Sequence, residues 1–263
     1  MIPRISQAIA RPRFYAGLLL FCALGDGIAF SQPRLESSAQ IFPERDGGPR
    51  QILWLITKGE KIHDPCPEKP GFEDSEGPSI KRKSMALTID TSHLDMKTHA
   101  LTKETAMRAI RLAADEWSSQ SKNIPRLAIR KSPMPIQTAF RRDGQNTVSW
   151  QNLSPFSTQT LAAITLFIDE QTNEIVEFDI ALDRSESWTI SGVVQETWGT
   201  LEGAYDISNA MTSVFGYVLG LGGIREEGDC ASTMFFSILP EETIKRSLSV
   251  GDVFGIKKLY DHR

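Results

Sequence analysis

From Ser84 onward, apolar and polar residues recur with periods that define elements. In SMALTIDTS, Met85, Leu87 and Ile89 fall at every second position, the period of a half-buried strand. In ALTKETAMRAIRLAADEWSSQS the apolar residues are Ala106, Ala109, Ile110, Ala113 and Trp117, the spacing of a helix with one buried face. Thr102 suits its N-cap, with Thr105 and Met107 inside the helix. RLAIRKS and NTVSW (Asn146–Trp150) are short strand candidates, and TLAAITLFIDEQTNEIVEFDIALD holds two strands joined by a turn at Glu170 to Asn173. A second helix is expected from near Asp206, whose carboxylate can cap it. Ile207, Ala210, Met211, Val214 and Val218 gather on one side of that helix, while Ser213 and Tyr217 lie one turn apart on a neighbouring face. Gly220 can end it by taking a positive φ.

The pattern before Ser84 is different. Arg4, Arg11 and Arg13 precede the apolar run FYAGLLLFCAL, Phe14 to Leu24. That run is too short for a bilayer, which takes roughly 20 residues, and has the build of a signal peptide. Ala29 and Ser31 suit cleavage before Gln32, with Ala23 and Gly25 as an earlier alternative. Phe21 is too bulky to precede a lipoprotein cysteine at Cys22. Residues 32–83 are rich in Pro, Gly and charge and read as a mostly irregular extension, broken by one apolar run, QILWLIT (Gln51–Thr57), that could be a strand. Three segments are therefore expected: a signal peptide over 1–31, the extension over 32–83, and a regular domain over 84–263.

Composition adds limits. With 24% charged and 40% hydrophobic residues the chain can build a packed core, and a formal charge of -4 leaves no footprint for nucleic acid. No long apolar run follows the N-terminus, so no membrane span is expected in the mature chain, which is placed outside the cytoplasm, secreted or periplasmic. Cys22 leaves with the signal peptide; Cys66 and Cys230 remain, and in an exported protein they either pair or stay as separate thiols. His63, His93, His99 and His262 read as surface polar residues. GIREEGDC places Glu226, Glu227 and Asp229 close together, as a solvated loop or an oxygen-ligand site without the spacing of a known calcium loop. There is no GxSxG elbow, and LGLGG follows a helix, the wrong context for a phosphate cradle.

The order of segments resembles the catalytic domain of matrixins, the metzincin zinc endopeptidases. The resemblance runs from about Ser84 to Tyr260: SMALTID, a helix ending in Glu116–Trp117, LAAITLF, EIVEFDIALD, then YDISNAMTSVFGYVLGLGG where the family carries HExxHxxGxxH. DCASTMFFSI is similar to the Met-turn, with Met234, and SLSVGDVFGIKKLY to the closing helix, with Asp252, Ile256 and Tyr260. The fold this implies is α+β: a twisted mixed sheet of about five strands, a long helix, an active-site-type helix and a C-terminal helix. It also implies that Thr160–Ile168 is the edge strand beside a cleft, and it sets Cys66 where a matrixin pro-segment has its zinc-blocking cysteine.

The motif itself is emptied. Over SVFGYVLGLGG, Ser213 stands at the first histidine, Val214 at the glutamate, Tyr217 at the second histidine and Gly223 at the third, while Gly220 keeps the glycine. Histidines at i and i+4 face one metal, and the adjacent glutamate takes the proton of the attacking water. A serine hydroxyl is a weak ligand, a glycine offers no side chain, and one phenolate cannot hold the ion alone. No catalytic residue and no cofactor are therefore expected, although zinc serves the family. The expectation is an exported pseudoprotease that binds a peptide or protein in the former cleft, with Leu161, Ala163, Thr165, Ser213 and Tyr217 as contacts. Two alternatives stand beside it: a metalloendopeptidase with a noncognate metal site, and a purely structural exported domain.

Overall fold

The structure is a computed structural model and describes residues 50–59, 77–94, 101–136, 140–190, 203–224 and 232–261, together with the backbone of 40–42. The described elements belong to one compact unit, Glu36–Arg263. The expected signal peptide at 1–31, Cys66, Cys230, His63, His99, His262, Glu226, Glu227 and Asp229 lie outside the described residues.

The fold is mixed α+β. The described strands are β1 (Gln40–Phe42), β2 (Arg50–Lys58), β3 (Ser84–Ile89), β4 (Arg126–Lys131), β5 (Thr147–Gln151), β6 (Thr160–Asp169), β7 (Glu174–Asp183), β8 (Trp188–Thr189), β9 (Tyr205–Asp206) and β10 (Ser237–Ile238). The helices among the described residues are α1 (Lys103–Ser118), α2 (Ile207–Val218) and α3 (Val250–Asp261). One sheet runs β1-β2-β6-β7-β5-β3-β4, with β10 also on β2; β8 and β9 form a separate pair. Pairing is antiparallel from β1 to β7 along that order and parallel from β7 to β4.

The five strands readable from alternation, β3 to β7, form one contiguous block of the sheet. The count of about five is corrected to eight by β1, β2 and β10. β2 lies before the boundary expected at residue 84, yet it is the direct neighbour of β6. Ile80, also before that boundary, is buried and receives a tether: its amide donates to the Tyr260 hydroxyl at 3.1 Å.

Helix ends follow their capping chemistry. Thr102 and Thr105 exchange side-chain-to-backbone bonds in a capping box at the start of α1. Asp206 caps α2 by accepting the Asn209 amide at 2.8 Å. After α2, Gly220 has φ of 101° and lies against the Pro78 carbonyl, a site closed to any side chain.

The two sheet faces are unequal. Toward the helices, Ile52, Ile56, Ile164, Leu166, Ile180 and Leu182 join one large core with Trp117, Met211, Val214 and Phe215. α1 and α2 are locked by the Trp117 indole, whose Nε1 donates to the Thr212 carbonyl at 2.8 Å. On the other face a small cluster of Leu53, Leu153, Ala163 and Ala181 is flanked by Leu55 and Phe140. Because both faces of β6 and β7 are covered, these strands read as nearly continuous apolar runs.

Candidate functional site

The α2 helix and the turn after it place Ser213, Tyr217 and Gly223. Ser213 and Val214 are fully buried and Tyr217 nearly so, 2% exposed. The Ser213 hydroxyl has no hydrogen-bond partner. Gly223 lies against Tyr217: a Cβ built on it would fall 2.3 Å from the phenol oxygen. The phenol thus occupies the volume that a side chain at 223 would need, and glycine is required there by close approach. Across the phenol lies the indole of Trp54 from β2, ring centroids 5.0 Å apart and tilted by 48°.

Met234 supports the helix from beneath. A Cβ at Gly216 would meet its sulfur at 2.1 Å, so the thioether sits directly on the α2 backbone. The chain around Met234 is fixed from two directions. Asp252 at the start of α3 accepts the Ser232 hydroxyl at 3.0 Å and the Thr233 and Ser249 amides at 3.0 and 2.9 Å. Ile224 donates its amide to the Met234 carbonyl at 2.8 Å, binding the turn after α2 to the same segment. The Tyr260 hydroxyl donates to the Leu219 carbonyl at 2.9 Å. Asp252, Ile256 and Tyr260 therefore all serve packing of α3 against this region.

Charged groups near the site are structural. Arg246 and Asp206 form an ion pair beneath the N-terminus of α2. Lys245 is buried, with its ammonium bonded to the Ser237 carbonyl at 2.5 Å and to Glu242 at 3.0 Å. Burial pushes its pKa below the usual lysine value, an effect that Glu242 opposes.

The expected edge strand is corrected here. β6 is internal: β7 pairs along one side and β2 along the other, in eight antiparallel register pairs from Arg50↔Ile168 to Thr57↔Thr160. Leu161, Ala163 and Thr165 are fully buried. Ala163 belongs to the cluster on the far face of the sheet, and Thr165 stands opposite Leu53 and Asp179 on that same face. Strand alternation thus separates them from Ser213 and Tyr217, and the five expected contacts do not line one groove. The physical reason is that a strand's neighbours are set by distant segments, and the neighbour here comes from the extension.

No protein-family model matches the chain, and no curated protein matches it.

Zinc, which the matrixin resemblance implies, does not fit these residues. The three ligand positions offer an alcohol, a phenol already packed against glycine and tryptophan, and no side chain. Among the described residues, no three His, Cys, Asp or Glu side chains converge as a metal-ligand group. His93 is exposed. Among the described residues, no helix is long and apolar enough to cross a membrane.

The sequence reading missed three further features. Trp54 sits in a run recognised as a strand, but nothing local reveals that it covers Tyr217. Lys58 bonds the Thr158 carbonyl at 2.6 Å and pairs with Glu186 at 2.5 Å and Asp183 at 3.8 Å. Asp179, on the far face, is held by the Thr147 hydroxyl at 2.5 Å; burial, more than the nearby Glu177, pushes its pKa up to about 7.

Proposed function

We propose that the chain is an exported, catalytically inactive matrixin-like domain, a pseudoprotease with a binding role. The observation that carries this reading is the interlock of Tyr217 with Gly223 under Trp54 at the positions of the family's second and third histidines. Packing has taken the place of coordination there. With Val214 buried at the glutamate position, that position offers no carboxylate to take a proton from water. Further support comes from the contiguous block β4-β3-β5-β7-β6 and from Met234 lying under α2 where a Met-turn would lie. A partner using the β6 edge would have to replace β2, so partner binding and β2 placement are linked.

Zinc content and peptidase activity of the purified full chain test the reading. The expected result is substoichiometric zinc and no chelator-sensitive cleavage of peptide libraries. One tightly held zinc per chain together with chelator-sensitive cleavage overturns it.

A second reading, a purely structural exported domain, is favoured by one observation: β2 already fills the β6 edge. Cross-linking the full chain in its native extract separates the two, since a structural domain yields no adduct that depends on Trp54 or Lys58.

A further inference from the structure

β2 meets the rest of the unit in the manner of a bound peptide. Its backbone adds to β6 in antiparallel register over eight pairs, the geometry by which extended ligands augment a sheet. Two of its side chains then find separate receptors. Trp54 lays its ring on Tyr217 of α2. Lys58, four residues on and about 13 Å further along an extended strand, enters an acidic corner formed by Asp183, Glu186 and the Thr158 carbonyl. Asp183 is 3% and Lys58 16% exposed at the side chain, so the corner is largely shielded from bulk water and removing either charge would leave the other there at a cost. Between the anchors, Ile56 is fully buried opposite Ala162. An aromatic shelf and an apolar slot on the ladder, followed by an acidic corner beyond the register shift at Ile56/Thr57, are the parts of a peptide site.

We propose that β6, Tyr217, Asp183 and Glu186 form a binding site for an extended peptide with an aromatic residue and a lysine four positions later, and that residues 50–58 are its resident ligand in cis. The ladder supplies affinity without sequence preference. The two anchors supply the preference: a ring of Trp or Tyr size to cover the phenol, and a cation to meet the carboxylates of Asp183 and Glu186. The outer edge of β2 is held by β1 at Gln51–Leu53 and by β10 at Thr57 and Lys58. A competitor therefore exchanges slowly and has to replace the β1–β2 pair as a unit. This inference needs only the β2–β6 geometry, so zinc in the chain would overturn the matrixin reading and leave it standing.

The test uses the full chain with a specific protease site inserted between Gly59 and Gly77, where cleavage separates β1–β2 from β3 covalently. After cleavage, a fluorescent peptide of residues 36–59 is added in excess, and anisotropy is followed with native mass spectrometry. The expected result is a nicked complex that keeps its circular dichroism and exchanges resident for labelled peptide over hours. Peptides carrying Trp54→Ala or Lys58→Glu should compete about tenfold less well, the factor that loss of one such anchor gives. Three results overturn the proposal: unfolding on cleavage, no exchange short of denaturant, or equal competition by all three peptides. The first two would make β2 an ordinary core strand, and the third would remove the anchors' role.

Discussion

The two margins of the sheet solve the same problem in opposite ways. At the β4 margin the last strand pairs, among the described residues, with β3 alone, and its residues Arg126, Ala128, Arg130 and Lys131 are exposed. Toward the other margin, where β1 is last, β6 is buried throughout except for Asp169, and β2 pairs along the side away from β7 with Ile52, Leu53 and Ile56 buried. An unpaired strand edge invites another chain, and positive charge is one way to discourage it. An apolar strand has no such recourse and has to be paired. The difference shows why β2, although it precedes residue 84, is part of the sheet: the strand it covers is uncharged from Thr160 to Ile168.

Breaking the β2 margin should have the largest effect. Ile56→Asp places a carboxylate in a fully buried slot beside Ala162, and the expected loss is at least about 4 kcal/mol in urea unfolding. Ala128→Asp on β4, exposed, should change stability by no more than about 0.5 kcal/mol. Equal losses at the two sites would erase the contrast.

Gly223→Ala sharpens the same margin from the helix side. The new methyl meets the Tyr217 oxygen, and the expected cost is about 2–3 kcal/mol. Removing that oxygen with Tyr217→Phe in the double variant should recover a large part, which a double-mutant cycle measures as coupling. Additive losses would mean that the two residues do not interlock.

Midway between the margins, Asp179 predicts a pH dependence. Its carboxyl titrates near 3.8 in the unfolded chain and about 7 in the folded one. The folded state therefore keeps a proton that the unfolded state releases. The stabilisation is complete below pH 4 and is lost as pH rises through 7. Unfolding free energy should drop by roughly 4 kcal/mol between pH 4 and 8 from this group, and Asp179→Asn should flatten that slope. An unchanged slope would show that the carboxyl is not the cause.

The smallest expected effect is at Ser213. Its buried hydroxyl lacks a partner, so Ser213→Ala should be neutral or stabilise by up to about 1 kcal/mol in thermal unfolding. A marked loss would indicate a role for the oxygen that packing does not supply.

Much of this architecture is legible in the chain because it is local. The Ala106–Trp117 stripe, the Thr102 and Asp206 caps and the helix stop at Gly220 are decided within a few residues, and the structure places each of them. The alternation in β3 and the paired runs of β6 and β7 are local too. What the chain did not disclose is which strand neighbours which. QILWLIT is visibly a strand, but its partner lies more than 100 residues away in sequence, at Thr160–Ile168. The continuous apolar run of β6 fits a buried strand as well as a cleft edge, so Leu161, Ala163 and Thr165 were assigned to a groove that β2 closes. The same distance hid the Trp54–Tyr217 contact. Ser213, Tyr217 and Gly223 are visible as residues at once, but the close approach of Tyr217 to Gly223 is not.

The seating of the Tyr217 phenol against Gly223 limits which side chains either position can take. A histidine introduced at 223 alone collides with the phenol, and one introduced at 217 alone leaves the space beside Gly223 and beneath Trp54 unfilled. Neither single step is tolerated well, so imidazoles installed one at a time at 217 and 223 pass through destabilised variants. Phenol and glycine each hold the other in place.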